Sequence, residues 1–211
     1  MRIVPGERAQ LADLFERTGP DAPTVLPGWR AKELLAHLLV RERNPAAAPG
    51  ILVSPLARFT ESAMRSYERK PWSRRVQLLR SGPPPWSPYY LPPVDERVNL
   101  AEFFVHHEDL SRARPGWEPR PADDDRDEAL WSVLRLLGRV LYRHSPVGVL
   151  LRHPTRPRNA EINARPGDRR VTVVGPPGEL LLHGFGRDLG QVELQGAPAD
   201  VAALNGAPRG I

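Results

Sequence analysis

The 211-residue sequence predicts a mainly α protein, with an antiparallel four-helix bundle over residues 1–145 and a small α+β module over 146–211. Three observations lead there. Long segments carry apolar residues at helical spacing, with no strand pattern between them. Near residue 159 the apolar period changes from that of a helix to that of a strand. Twenty-five prolines and 17 glycines fall mostly at the joints between these segments, and no low-complexity tract or internal repeat is present.

In chain order, "GERAQLADLFERT" (6–18) sets Leu11, Leu14 and Phe15 at i, i+3 and i+4 and reads as a helix. "GPDAPTVLPG" is a loop, "WRAKELLAHLLVRER" (29–43) a strong second helix, and "AAAPG" its end. "PLARFTESAMRSYER" (55–69) makes a third, followed by a short apolar turn around Val76–Leu79. The proline-rich "SGPPPWSPYYLPPVDE" (81–96) fits neither helix nor central strand and reads as a long loop pinned by Trp86, Tyr89 and Tyr90. A helix from about Asp95 to Arg114 follows. "ALWSVLRLLGRVLYRH" (129–144), capped by Asp125 or Asp127, is the fourth long helix of the bundle. "NAEINA" (159–164) and "RRVTVVG" (169–175) alternate like strands, with "RPGD" as the turn between them. "PGELLLHGFGR" (177–187) reads as a short helix, "QVELQG" (191–196) as a strand and "PADVAALNG" (198–206) as a last helix.

Composition narrows the function classes. There is no cysteine, so disulfides, thiolate ligands and a cysteine nucleophile are excluded. Any metal must be held by His, Asp or Glu. The net charge of +5 does not indicate nucleic-acid binding. Lys32 and Lys70 are the only lysines, and the arginines are scattered singly among 25 acids without a basic stripe. No apolar run approaches a membrane span and no signal-peptide core is visible, so a cytoplasmic protein without membrane or nucleic-acid partners is expected.

The chemistry concentrates in "LAEFFVHHEDLSRA" (100–113), which holds two of the six histidines. With about 100° per helical residue, Glu102, His106 and Asp109 share one face, together with Val98, Val105 and Ala113. His107 points roughly 100° away. Acid and imidazole within an apolar stripe need a partner or a cation. A Glu-x-x-x-His pair can supply two metal ligands from adjacent turns, and a buried Glu–His hydrogen bond explains the same residues equally well. His37 shares a stripe with Glu33, Arg41 and Asn44 while leucines cover the rest of its helix. That pattern fits an exposed polar ridge or a polar cavity inside a bundle. The aromatic loop 81–96 precedes the Glu/His helix, and its Trp86, Tyr89 and Tyr90 are candidates for a lid and cosubstrate-binding wall over the cavity.

Three segments in register carry a resemblance. "LPGWRAKELLAHLLVRER" and "NLAEFFVHHEDLSRARPGWEPR" resemble the two ligand helices of the DinB/YfiT-like metalloprotein superfamily, in particular its mycothiol-dependent maleylpyruvate isomerase branch. "GELLLHGFGR…VELQG" resembles that branch's C-terminal Gly-Arg module, which is similar to sterol-carrier-like domains. The resemblance spans nearly the whole chain and is nearest the short metal-binding members. It implies that His37, Glu102 and His106 hold one divalent metal, zinc foremost, with nickel, iron or manganese as alternatives. Asp109 would orient the His106 ring, and Arg41 or Arg187 would hold a carboxylate substrate. Arg187 reads equally as a helix-end arginine satisfying carbonyls. Arg30 departs from the pattern, standing where the family often has a capping Ser or Thr.

The implied activity is that of a thiol-dependent isomerase or S-transferase, with a mycothiol-type thiol as cosubstrate and a small electrophile as substrate. Its thiolate sulfur adds to an activated cis double bond, the single bond that results rotates, and elimination returns the thiol with the trans isomer. A metal-dependent hydrolase and a non-catalytic metal- or thiol-binding module are the alternatives, as a monomer or homodimer.

Overall fold

The computed structural model describes residues 2–44 and 57–210. They form eight α-helices and a four-stranded sheet, divided between two compact units, Met1–Pro121 and Ala122–Ile211. The expected boundary near residue 145 therefore falls before the fourth long helix, not after it.

The first unit is helical: α1 (Val4–Thr18), α2 (Ala31–Arg43), α3 (Ala57–Glu68), α4 (Trp72–Arg80) and α5 (Pro92–Ser111). α1 opens with a proline in its first turn, buries Leu11, Leu14 and Phe15, and stops at Gly19, whose φ of 78° belongs to the left-handed region. At the start of α2 the Glu33 carboxylate accepts the Arg30 backbone N–H at 2.9 Å. This supplies half of a capping box where the Arg30 side chain has no acceptor to offer. Leu34, Leu35, Leu38, Leu39 and Val40 bury most of the helix surface, and α3 packs Met64 and Tyr67 around Val40 and Ala63. The breaker "AAAPG" (46–50) and the first residues of the expected third helix lie outside the described residues.

The expected apolar turn near Val76 is a full helix, α4. Val76 and Leu79 are buried and Trp72 meets Phe15 edge-on at 5.9 Å, so arginine-rich sequence is held helical by tertiary packing. α5 starts at Pro92, three residues early, because prolines at the first helical positions lack only N–H groups that would be unsatisfied anyway.

α2 and α5 run antiparallel: His37 meets His106, Arg41 meets Glu102, and Glu42 meets Asn99. α1 and α5 run parallel, since Ile3 N–H bonds to Glu96 and Arg8 lies over Phe103. An up-down four-helix bundle would oppose its first and last helices. Here two short helices, α3 and α4, stand between α2 and α5, and the extra helix reverses that parity.

In the second unit, α6 (Asp124–Leu141) is the helix expected to complete the bundle. Asp123, not Asp125 or Asp127, caps it, accepting Arg126 N–H at 3.0 Å. Its apolar stripe packs instead on β2 (Ile162–Arg165) and α7 (Pro177–Gly184). Gly138 makes the approach close, as a Cβ there would lie 3.4 Å from the Ala164 Cβ. With β1 (Gly148–Arg152), β3 (Arg170–Val174) and β4 (Glu193–Gln195) the sheet runs β2-β1-β3-β4, and α8 (Pro198–Asn205) packs on β3.

β1 was not expected. It is a short unalternating apolar run, which periodicity cannot assign. It pairs parallel with β3 and antiparallel with β2, so "RPGD" crosses past β1 and is not a hairpin turn. Gly148 permits that crossing: a Cβ there would lie 2.9 Å from the Gly167 carbonyl oxygen. Nearby in the same unit, buried His183 accepts or shares the Tyr142 hydroxyl proton at Nδ1, 2.7 Å away. Burial pushes the His183 pKa down to about 4 and the Arg209 charge adds to the effect.

Two outcomes follow. Gly148→Ala lowers unfolding free energy by about 1–3 kcal/mol in thermal or denaturant melts, whereas Gly6→Ala, with nothing within 4 Å, does not destabilise. His183 stays neutral in the fold but takes a proton at 6.5 once unfolded. Its contribution is therefore complete above pH 6.5 and lost as the pH falls towards 4, about 3 kcal/mol in all. His183→Gln flattens that part of the stability–pH curve.

Candidate metal centre

α2 and α5 bring three side chains together in the first unit. His37, Glu102 and His106 each offer one donor atom, and the three atoms lie within 4.8 Å of one another. The Glu102 Oε2 atom is 3.4 Å from His106 Nε2 and 3.9 Å from His37 Nε2. The imidazole rings meet edge to face at 5.2 Å between centroids. His37 and Arg41 of the polar stripe of α2 thus face α5 and not solvent. Glu102 is the most open of the three, with 20% of its side chain exposed, while both histidines are buried.

Each side chain has a support. His106 Nδ1 bonds to Asp109 Oδ2 at 2.9 Å, one helical turn on, which turns Nε2 towards Glu102. Asp109 is wholly buried, and its backbone carbonyl accepts Val25 N–H at 2.9 Å, so the loop before α2 is fastened to the ligand helix. At the end of that loop the Trp29 ring packs on His37 at 5.3 Å. Arg41, one turn beyond His37, places Nε 3.6 Å from Glu102 Oε2 and bonds to Asn99. Its guanidinium covers the Tyr89 ring at 5.0 Å.

The protonation pattern follows from these contacts. Burial lowers the His37 pKa, and Glu102 offsets this only in part. Burial also acts to lower that of His106, but Asp109 and Glu102 outweigh it and the net shift is upward. Burial would raise Glu102, yet Arg41 and the two imidazoles hold it well below the usual carboxylate range. These shifts favour the Glu102 anion and the protonated form of His106, which bonds to Asp109 at Nδ1 and faces Glu102 at Nε2.

The donor set fits a divalent ion of borderline softness. Two imidazole nitrogens and one carboxylate oxygen suit zinc, iron, nickel or manganese. A tetrahedral zinc site spaces its donors about 3.3 Å apart. The 3.4 Å Glu102–His106 pair nearly meets this, and the 3.9 Å Glu102–His37 pair is somewhat wider. A metal bound at His106 Nε2 would displace any proton there, so binding would be favoured as the pH rises.

Among the other residues expected here, Tyr89 is brought to the edge of the cluster through Arg41. Trp86 and Tyr90 are exposed, at 74% and 56%, and no described contact places them against the three donors. The segment is only partly loop: Pro88–Tyr90 is a 3-10 turn capped by Ser87, and α5 begins two residues later. Arg187 belongs to the second unit, where it donates to the Phe185 carbonyl at 2.8 Å, the helix-end reading of that residue. His107 points away from the cluster, as the helix phase requires, with Nδ1 3.7 Å from Glu108. The Val98 side chain lies outside the described residues.

Sequence reasoning missed Asn99, Glu42 and Arg8. Arg8 bonds to Glu42 and Asp95 at 2.5 and 3.0 Å, and the Asn99 amide bonds to both carboxylates at 3.2 and 2.7 Å. Asn99 and Asp95 stand three and seven residues before Glu102, at helical spacing, which is the signal that could have found them.

No family model matches the chain, and neither the curated proteins nor the solved structures contain a match. Among the described residues no helix is long and apolar enough to cross a membrane.

Zinc-loaded protein should lose its stoichiometric metal in His37→Ala and in His106→Ala, read by elemental analysis, while His107→Ala keeps most of it. Asp109→Asn should weaken zinc affinity by about 10–100-fold through loss of ring orientation. Wild-type zinc content after removal of both His37 and His106 would exclude this cluster.

Proposed function

We propose that the protein is a divalent-metal-dependent enzyme that uses a low-molecular-weight thiol, of the mycothiol type, to isomerise or add sulfur to a small electrophile. The observation that carries this reading is the convergence of His37, Glu102 and His106 from two helices, with Asp109 behind His106. Three protein donors leave positions for exogenous ligands, as catalytic sites do. When bound, the ion supplies a Lewis-acidic position that lowers the pKa of a thiol or water brought to it. The chain has no cysteine, so the thiol comes from outside. Resemblance of three segments to the maleylpyruvate isomerase branch supplies the substrate class.

The chain's own residues divide the remaining work. Asp109 holds His106 in one tautomer and one orientation. Glu102 is the donor that solvent reaches, so ligands enter on its side. Arg41 lies beside Glu102 with one face on Tyr89, and its fork suits a substrate carboxylate at the moment Glu102 is engaged elsewhere. Trp29 and Tyr89 flank the cluster with apolar surface.

The test is an assay of zinc-loaded protein with maleylpyruvate, with and without N-acetylcysteine. The expected result is cis-to-trans conversion that needs both metal and thiol, with Arg41→Gln raising KM for the dicarboxylate about tenfold. Turnover of electrophiles by water without thiol would replace this reading with a hydrolase. Thiol binding, seen in the visible spectrum of cobalt-loaded protein, without any turnover would replace it with a non-catalytic metal and thiol carrier.

A further inference from the structure

A cleft opens in the first unit, about 100° round α5 from the cluster. Its volume is about 380 Å³, within the range of small-molecule sites. The last turns of α1 and α5 form its sides, and the segment 118–121 forms its wall. We propose that this cleft binds a small organic anion, an oxyanion head on a compact apolar body, independently of the metal centre.

Charge decides the class of ligand. Most ionic groups around the cleft are already matched: Arg120 bonds to Glu7 and Glu108, each at 2.9 Å, and Asp13 bonds to Arg80 at 2.6 Å. Arg17 and Arg114 line the cleft with no acid partner among the described residues, against one unpaired acid, Glu118. With Arg17, Arg114 and Arg120 against Asp13 and Glu118, the lining carries a net positive charge, and guanidinium groups suit carboxylate or phosphate oxygens. Ser111 adds a hydroxyl to the same lining.

Shape and preorganisation support the same reading. The wall is tied down before any ligand arrives, because Arg120 is anchored to α1 and α5 together and Glu108 is also held by Arg112 at 2.7 Å. Leu14 and Pro119 supply apolar surface for the body of the ligand. His107, which lines the cleft, is 6% exposed; its Nδ1 lies 3.7 Å from Glu108 Oε1, beyond hydrogen-bond reach, and Arg120 Nη2 is buried without a partner. Native interiors seldom leave two such atoms together unless a ligand or ordered water completes them.

The experiment follows the histidine ring resonances of the zinc-loaded full-length protein by NMR during titration with benzoate, with phenyl phosphate and with neutral benzyl alcohol. Either anion should shift the His107 ring while leaving His37 and His106 in place, and the alcohol should not. Preference for benzoate assigns a carboxylate ligand; preference for phenyl phosphate assigns a phosphate ester. The Arg17→Gln, Arg114→Gln double variant, altered only at exposed side chains, should bind roughly tenfold or more weakly with unchanged zinc content. Shifts confined to His37 and His106, no shift up to about 10 mM anion, or equal affinity in the double variant would each overturn the proposal. Because zinc content is read in the same samples, failure of the cleft is separable from failure of the metal site.

Discussion

The antiparallel register of α2 against α5 is the constraint on which the candidate chemistry depends. A buried chain of charge and amide sets it: Arg8 bridges Glu42 and Asp95, and Asn99 joins both to Arg41, which reaches Glu102. Breaking one partner of such a buried network leaves an uncompensated charge, at a cost of about 3–5 kcal/mol. Glu42 shows the strain of that environment: burial raises its pKa despite Arg8 beside it. The network tolerates one alignment well, and in that alignment His37 faces Glu102 and His106.

α5 carries two different surfaces because adjacent residues point about 100° apart. His106 turns to α2 and Asp109, and His107 turns to α1 and the Glu108–Arg120 ion pairs. A helix of this kind can serve a metal site on one side and a cationic cleft on the other without sharing a side chain. The parallel course of α1 along α5 makes the second surface, and it exists because α3 and α4 are separate helices.

In the second unit the same principle operates through small residues. Gly138 lets α6 approach β2, and Gly148 lets the chain cross at the head of β1. The residue that a longer side chain would displace is in each case backbone or packed core, so these positions specify the fold more tightly than the surrounding apolar residues do.

Helix phase is local, and what depended on it was legible in the sequence. Glu102, His106 and Asp109 recur at four and three residues, and their shared face, with His107 turned aside, follows from the rise and rotation of one helix. Helices α1, α2, α3 and α5 of the first unit and three of the four strands were legible from local periodicity in the same way, whereas α4 read only as an apolar turn. His37 was not, because a polar stripe on α2 reads alike whether water or another helix faces it. Only the packing of α2 on α5, with Arg41 and Asn99 fixing the register, turned that stripe inward. The placing of α6 against a sheet and the existence of β1 were likewise tertiary decisions. A helix's apolar stripe does not name its partner, and a short buried strand is defined by the neighbours that satisfy its backbone on both sides.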